Sequence, residues 1–168
     1  MTAIGPSSST GAPPSWSKNG VPPPSRTGTR STQISSSRPA SRHWLAIDRY
    51  CTGITVDARA HDTVYVTFAG YNRGNVWKTV DGGTTWANIG QALPAAPVRA
   101  LTIHPDHSAY LYAGTEVGMF ASEDGGATWS ATNEGPTNCS VDDLFWMNRI
   151  LVCVSHGRGM FSIDLSTP

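Results

Sequence analysis

An eight-residue pattern occurs twice in this chain, and its two copies lie 43 residues apart. The first copy runs from Thr79 to Trp86 and the second from Ser122 to Trp129, and each contains the triplet Asp-Gly-Gly. A repeat of about 40–50 residues with strand-like segments around it is typical of propeller blades. The spacing therefore predicts a β-propeller, in which each blade is a sheet of four short strands.

Alignment of the chain with itself gives three units, approximately residues 50–90, 97–132 and 140–165. Each unit consists of short β-branched and aromatic runs separated by turn residues, and the third ends before its outermost strand. Three blades do not close a ring, because propellers have about 4–8 blades. We therefore predict an all-β fold: a propeller segment of about three four-stranded blades, which belongs to a larger ring of about six to ten blades or is completed by other copies.

Residues 1–43 have a different composition, rich in Ser, Pro, Thr and Gly, with five basic residues and no acidic ones. Such a segment cannot bury enough apolar surface to offset its ordering entropy, so we predict a disordered tail before the propeller segment of residues 44–168. A genuine linker and a shifted reading frame are both open as its origin. The tail's basic residues are too scattered to indicate nucleic-acid binding. The sequence also shows neither a membrane-spanning run nor a signal peptide, and its compartment stays unassigned.

The repeated pattern predicts a tight turn between the third and fourth strands of a blade. Its Asp accepts backbone hydrogen bonds, its Gly pair adopts positive φ, its first hydroxyl bonds the same turn, and its Trp fastens the hairpin to its blade. A calcium loop is the alternative, but such a loop needs several oxygen ligands and each turn offers one Asp. The residues assigned this structural role are Thr79, Asp81, Gly83, Thr85, Trp86, Ser122, Asp124, Gly126, Thr128 and Trp129.

These positions resemble the Asp-box, or BNR repeat, of sialidase-like propellers. The sequences of residues 63–72, 111–118 and 156–159 are similar to bacterial sortilin-like and xyloglucanase-like propeller proteins. The resemblance covers about residues 45–165 and implies the fold. Because Asp-boxes occur in enzymes, sorting receptors and non-enzymatic modules alike, it does not assign an activity. The function we predict is that of a non-catalytic module that binds protein or carbohydrate. The alternative is the C-terminal part of a secreted glycoside hydrolase, and in either case an exported parent protein.

In the resembled families ligands bind on the face that carries the loops between second and third strands, opposite the Asp-box turns. Arginines in these loops can meet carboxylates and a tyrosine can stack on a sugar ring. The alternative is that these loop residues only bond their own backbone. The candidate ligand-binding residues are Tyr71, Asn72, Arg73, Glu116, His156 and Arg158.

Catalysis by this segment alone is not expected. Glycoside hydrolysis needs two carboxylates at a defined separation. Asp142 and Asp143 are adjacent on one strand, so their side chains point to opposite faces. His104 and His107 have the spacing of two metal ligands, but they lie in a Pro-Asp turn with no third ligand nearby. We therefore assign no catalytic residue, no metal and no cofactor.

The three cysteines, Cys51, Cys139 and Cys153, are predicted to be small buried apolar residues, with one disulfide as the alternative. The predicted partners are a protein or carbohydrate ligand and, through open blade edges, other copies of the chain. Neither nucleic acid nor a membrane is predicted as a partner.

Overall fold

A computed structural model describes residue 45 and residues 47–131 and 135–165. The tail predicted to be disordered, residues 1–43, lies outside these residues. In the described ranges all regular structure is β-strand, arranged in three antiparallel sheets. Within the same ranges no helix has the length and apolar character needed to cross a membrane.

Each sheet is one blade, and the strands in a blade follow chain order. Blade 1 contains β1 (Cys51–Val56), β2 (Val64–Phe68), β3 (Val76–Thr79) and β4 (Ala87–Asn88). Blade 2 contains β5 (Val98–Ile103), β6 (Leu111–Thr115), β7 (Gly118–Ser122) and β8 (Ser130–Ala131). Blade 3 contains β9 (Val141–Met147), β10 (Ile150–Ser155) and β11 (Gly159–Asp164). The predicted all-β propeller segment is confirmed, with a third blade that has three strands among the described residues.

The apolar cores lie between successive blades rather than inside any one of them. We call face A the side of a blade that packs against the preceding blade, and face B the side that packs against the following one. Leu101 and Ala113 on face A of blade 2 pack against Tyr65 and Val76 on face B of blade 1. The first strands of these blades are also joined, since Thr55 Oγ1 donates to the carbonyl of Leu101 at 2.9 Å.

The junction between blades 2 and 3 repeats this arrangement. Leu144 and Cys153 on face A of blade 3 pack around Met119 on face B of blade 2. Gly114 allows the close approach, because a Cβ at this position would lie 2.5 Å from Cγ1 of Val141. Alternating side chains in each strand thus serve two different junctions, which is why the strands show little simple inside–outside alternation.

Both copies of the repeated pattern form the predicted turn. In the first, Asp81 Oδ1 accepts from the Thr85 amide at 2.8 Å, and the Thr79 hydroxyl accepts from the Gly83 amide at 2.9 Å. Gly82 and Gly83 have φ of 65° and 90°. The second copy reproduces each of these bonds, with Asp124 bound to Thr128 and Ser122 to Gly126.

One detail of the turn prediction changes. The Trp129 indole N–H donates to the carbonyl of Ile89 at 2.8 Å, and Ile89 belongs to the segment that follows blade 1. Trp129 also packs against the apolar core between blades 1 and 2. This tryptophan therefore joins two blades, whereas the sequence predicted that it fastens its hairpin to its own blade.

The cysteine prediction is confirmed for Cys139 and Cys153, which are buried, and is wrong for Cys51, which is exposed. All three are free thiols, so the disulfide alternative is not realised. The exposure of Cys51 has a physical reason. Its counterparts Val98 and Val141 begin the first strands of blades 2 and 3 and are fully buried, each beside the preceding blade. Among the described residues no blade precedes Cys51.

Candidate functional site

The strand order places two kinds of loop on opposite edges of the blades. Because neighbouring strands are antiparallel, the start of each first strand lies beside the end of the second strand. The loops after β2, β6 and β10 therefore share one edge, which we call the upper face. The repeated turns lie at the other edge, where the amides of Gly82 and Gly125 donate to the carbonyls of Asp62 and Ala109.

A β-bulge interrupts the first strand of every blade at the same place. The pairing register shifts between Cys51 and Gly53 in β1, and between Val98 and Ala100 in β5. In β9 the shift falls opposite Val154 and Ser155 of the partner strand. The extra residues are Thr52, Arg99 and Asp142. A bulge re-aims the side chain of its extra residue, so three blades bring three polar side chains to equivalent points at the upper face.

Arg99 is the centre of a polar network that joins blades 2 and 3. Its Nη2 lies 2.6 Å from Oε1 of Glu116, which follows β6, and its Nε lies 3.7 Å from Oδ1 of Asp142. The Asp142 carboxylate also accepts from the Ser140 hydroxyl at 3.1 Å and lies 3.3 Å from Nδ1 of His156. One guanidinium is therefore shared between two carboxylates from neighbouring blades.

Blade 1 contributes to the same network through Tyr71. The Tyr71 hydroxyl donates to Oε2 of Glu116 at 2.6 Å, across 45 residues of chain. The upper-face cluster, as we call it, thus contains side chains from all three blades. Its members are Tyr71, Arg99, Glu116, Asp142 and His156.

The cluster borders an open pocket of about 330 Å³, lined by Arg99, Glu116, Ser140, Asp142 and His156. Ligand pockets usually have about 300–1,000 Å³ and mostly apolar walls. This pocket has a volume in the usual range, but its walls are not mostly apolar, since each of its lining residues is polar. Such a site suits a polar or charged group presented at the surface better than an enclosed apolar molecule.

The cluster stabilises the ionised form of Glu116. The hydrogen bond from the Tyr71 hydroxyl, and next the Arg99 guanidinium, lower the pKa of Glu116 against the opposing effect of its partial burial. The same hydrogen bond raises the pKa of Tyr71. A carboxyl group with a lowered pKa is ionised at neutral pH, so Glu116 can accept hydrogen bonds but holds no proton to donate as a general acid.

The structure brings three of the six predicted ligand-binding residues into this cluster: Tyr71, Glu116 and His156. Arg73 points elsewhere, since its Nη1 donates to the carbonyl of Gln91 at 3.2 Å and it lines a separate pocket of about 440 Å³. That pocket belongs to blade 1 and the segment before it. The prediction that the arginines of these loops line one groove with the other candidates is wrong for Arg73.

The remaining two candidates have loop positions. The Asn72 carbonyl accepts from the Asn75 side chain at 3.0 Å, so this residue contributes backbone to its own turn, as the alternative interpretation states. Arg158 is exposed in the turn before β11. Within the described part of the chain neither side chain forms a hydrogen bond or ion pair with the cluster.

Arg99 is not among the site residues predicted from the sequence, and Asp142 was predicted not to form a carboxylate pair with Asp143. The two carboxylates have different partners, since Asp142 lies beside Arg99 and His156 while Asp143 Oδ1 accepts from the Leu144 amide at 2.8 Å. The carboxylate that shares Arg99 with Asp142 is Glu116 from the neighbouring blade. The sequence does contain a pattern that points to both residues. Alignment of the units with one another places Arg99 and Asp142 at the same position, one residue after a valine that is buried in the structure.

His104 and His107 stay turn residues in the structure. Nδ1 of His104 accepts from the Asp106 amide at 3.1 Å, and the two rings are 5.2 Å apart. Burial lowers the pKa of His104. In the ranges that the structure describes, no three side chains of His, Cys, Asp or Glu gather in a way that would hold a metal ion.

Comparison with family models and with curated proteins gives no match for this sequence. Solved structures that resemble it include a GH74 enzyme of Niastella koreensis (18% identity, TM-score 0.52) and the GH74 xyloglucanase of Xanthomonas campestris (12%, 0.54). YCF48 of Cyanidioschyzon merolae is similar as well (16%, 0.52). The matches cover 68%, 66% and 73% of this chain.

The chain spans only a fraction of these neighbours, namely 21% and 20% of the two GH74 enzymes and 36% of YCF48. At this level of identity the likeness concerns the fold alone. The neighbours are propeller proteins, in agreement with the three stacked blades. The resemblance to Asp-box, sortilin-like and sialidase-like proteins has no family match behind it and stays a prediction.

Proposed function

We propose that this chain is a non-catalytic propeller segment that binds a ligand through its upper-face cluster. The observation that carries the proposal is the meeting of Arg99 and Glu116 from blade 2 with Asp142 from blade 3, beside an open pocket. The three side chains reach this point from a bulge, a loop and a second bulge. None of them fills an apolar core, and exposed ion pairs contribute little to stability. Ligand binding explains their convergence better than folding does.

The charge of this region favours a protein ligand with a basic side chain. Residues 44–168 contain seven basic and twelve acidic residues, which gives a formal charge of −5. In the cluster two carboxylates share one guanidinium, so one negative charge is left over. A Lys or Arg side chain of a partner would compensate that charge and form charge-assisted hydrogen bonds.

A carbohydrate is the second candidate, and one observation favours it. The Tyr71 ring is 72% exposed although its hydroxyl is fixed on Glu116. An exposed aromatic ring held next to ionised acceptors can stack on a sugar while the carboxylates accept from its hydroxyl groups.

Catalysis is not proposed for the cluster. A glycosidase needs one carboxylic acid that stays protonated, with a raised pKa, to donate to the leaving group. The pKa of Glu116 is lowered instead. If the parent protein is a secreted glycoside hydrolase, we expect its catalytic carboxylates mainly in blades other than these three. Self-association, the other predicted partnership, concerns the faces of the outer blades and not the upper face.

The test is a titration of the ¹⁵N-labelled chain with three probes: tetralysine, tetraglutamate and soluble xyloglucan oligosaccharide. We expect tetralysine to shift the amide signals around Arg99, Glu116 and Asp142, and tetraglutamate to leave them in place. Glu116→Gln should abolish the shifts. Glu123→Gln, which removes an exposed carboxylate at the opposite edge, is the matched control and should preserve them. A response to the oligosaccharide alone would select the second candidate, and no response to any probe would refute the proposal.

A further inference from the structure

The first strand of blade 1 leaves apolar side chains of face A exposed, and the other two blades show what covers the equivalent positions. Ile54, Leu101 and Leu144 occupy the same position in the first strands of blades 1, 2 and 3. Leu101 and Leu144 are 8% and 6% exposed because each packs against the preceding blade, whereas Ile54 is 68% exposed. Val56 lies two residues further along the same face and is also exposed.

The third blade leaves apolar side chains exposed on its face B, the face that blades 1 and 2 use to pack against the following blade. Met119 and Met160 are equivalent residues of β7 and β11, each directly after the glycine that starts the strand. Met119 is 2% exposed because blade 3 covers it, whereas Met160 is 72% exposed. Cross-strand pairing places Phe145, Met147 and Ile150 on the same open face as Met160, and all three are exposed.

The two open faces are therefore the two halves of a junction that the chain already forms twice. Face A of blades 2 and 3 packs on face B of blades 1 and 2. Face A of blade 1 and face B of blade 3 carry apolar side chains at positions that are buried in the two formed junctions, namely Ile54 and Met160, and face B of blade 3 also carries the exposed Asp143. Exposed contiguous apolar surface of this kind marks an interaction site.

We propose that a second copy of this chain covers both faces, with face A of blade 1 packed on face B of the partner's blade 3, and the reverse at the other end. This contact is heterologous, and a heterologous contact gives a closed ring only when the rotation closes. Two copies of the three described blades supply six blades, within the ~4–8 that propellers use. Closure by two copies also repeats the upper-face cluster around one ring.

The test uses the full chain and three single variants in light scattering coupled to size exclusion. The wild type is expected at twice the monomer mass of 17.9 kDa. Ile54→Asp and Met160→Asp each place a charge in both junctions of a homodimer, so each is expected to weaken the dimer by about 10-fold or more. Val80→Asp is the matched control, because Val80 is equally exposed but lies in the repeated turn, and it should leave the dimer intact.

Mixing the two defective variants distinguishes this arrangement from any other dimer. Ile54→Asp retains an unchanged face B and Met160→Asp retains an unchanged face A. A heterodimer of the two variants therefore has one junction without a substitution, so an equimolar mixture should form dimers. If the dimer formed instead through two A faces or through two B faces, mixing would not restore it in this way. One of the two variants would then form dimers without the other. A monomeric wild type, an open polymer, or a mixture without dimers would each overturn the proposal. Far-UV circular dichroism spectra of the variants, expected to match that of the wild type, verify that the exposed substitutions leave the blades folded.

Discussion

The two edges of the blades use carboxylates for different purposes. At the lower edge, Asp81 and Asp124 bond the amide and hydroxyl of a threonine four residues ahead, and the two copies have the same bonds. At the upper face, Glu116 and Asp142 meet an arginine between them, and the equivalent positions of the blades hold different residues.

The difference teaches which part of a repeat is free to acquire a function. The lower turns satisfy nearly all their hydrogen-bonding groups locally, so an identical solution recurs in each blade that has the turn. The upper face leaves Arg99 and Asp142 partly exposed around a pocket, and its bonds need three different blades. Substitutions at the lower edge should therefore change stability, and substitutions at the upper face should change binding.

The largest effect is expected at the lower edge from Thr79→Val, which removes a hydroxyl and keeps the shape. Thr79 is 2% exposed, donates to Asp81 and accepts from the Gly83 amide. Leaving the part-buried Gly83 amide without its acceptor should lower the free energy of unfolding by about 1 kcal/mol, measured by urea denaturation. Thr84→Val is the control, since its exposed hydroxyl donates only one bond, to the Asp81 carbonyl. Equal losses in the two variants would contradict the assigned role.

The second prediction concerns the stability of the folded chain at acidic pH. Hydrogen bonds from Thr85 lower the pKa of Asp81 to about 2, and those from Thr128 lower the pKa of Asp124 to about 2, from an ordinary value of 3.8. A carboxyl group with a lowered pKa in the folded state stabilises the protein above its unfolded pKa. This stabilisation is lost as the pH falls from about 4 through 2. The melting temperature should therefore drop across this window.

Asp81→Asn and Asp124→Asn, combined, remove both titrating groups and should flatten the acid-induced fall between pH 4 and 2. Asp48→Asn, an exposed position outside both turns, is the control and should retain the slope of the wild type. An unchanged slope in the double variant would show that the turns do not contribute to acid sensitivity.

At the upper face the expected stability effect is smaller. Glu116→Gln breaks an ion pair whose Arg99 side chain is 45% exposed, so the free energy of unfolding should change by no more than about 0.5 kcal/mol. Measured beside Thr79→Val in the same urea series, this variant tests the comparison directly. A loss as large as that of Thr79→Val would assign the cluster to folding and not to ligand binding.

The lower edge could be predicted from the sequence because the side-chain bonds that shape the turn, those of Thr79 and Asp81, join residues no more than four positions apart. The residues of the motif are therefore sufficient to predict the geometry of the turn. The exposure of Cys51 could not be predicted in this way. It depends on whether another blade precedes β1, and the residues around Cys51 hold no information about that neighbour.

The upper-face cluster was only half predictable for a related reason. Strand order alone indicates that Tyr71, Glu116 and His156 share one edge. The bulges that re-aim Arg99 and Asp142 do not follow from a two-residue strand period. The cluster's contacts also cross between blades, as between Tyr71 and Glu116. Only alignment of the units with one another could have pointed to the two bulge residues.

The smallest effect, and the most local, is expected from Tyr71→Phe. Removing the hydroxyl deletes the hydrogen bond that contributes most to the lowered pKa of Glu116, so this pKa should rise. The carboxyl ¹³C shift of Glu116, followed by NMR from pH 2 to 7, measures the change. Stability should stay that of the wild type, because Tyr71 is exposed and no core depends on it. If the Glu116 titration does not move, the hydroxyl does not hold Glu116 ionised, and the upper face loses its link to blade 1.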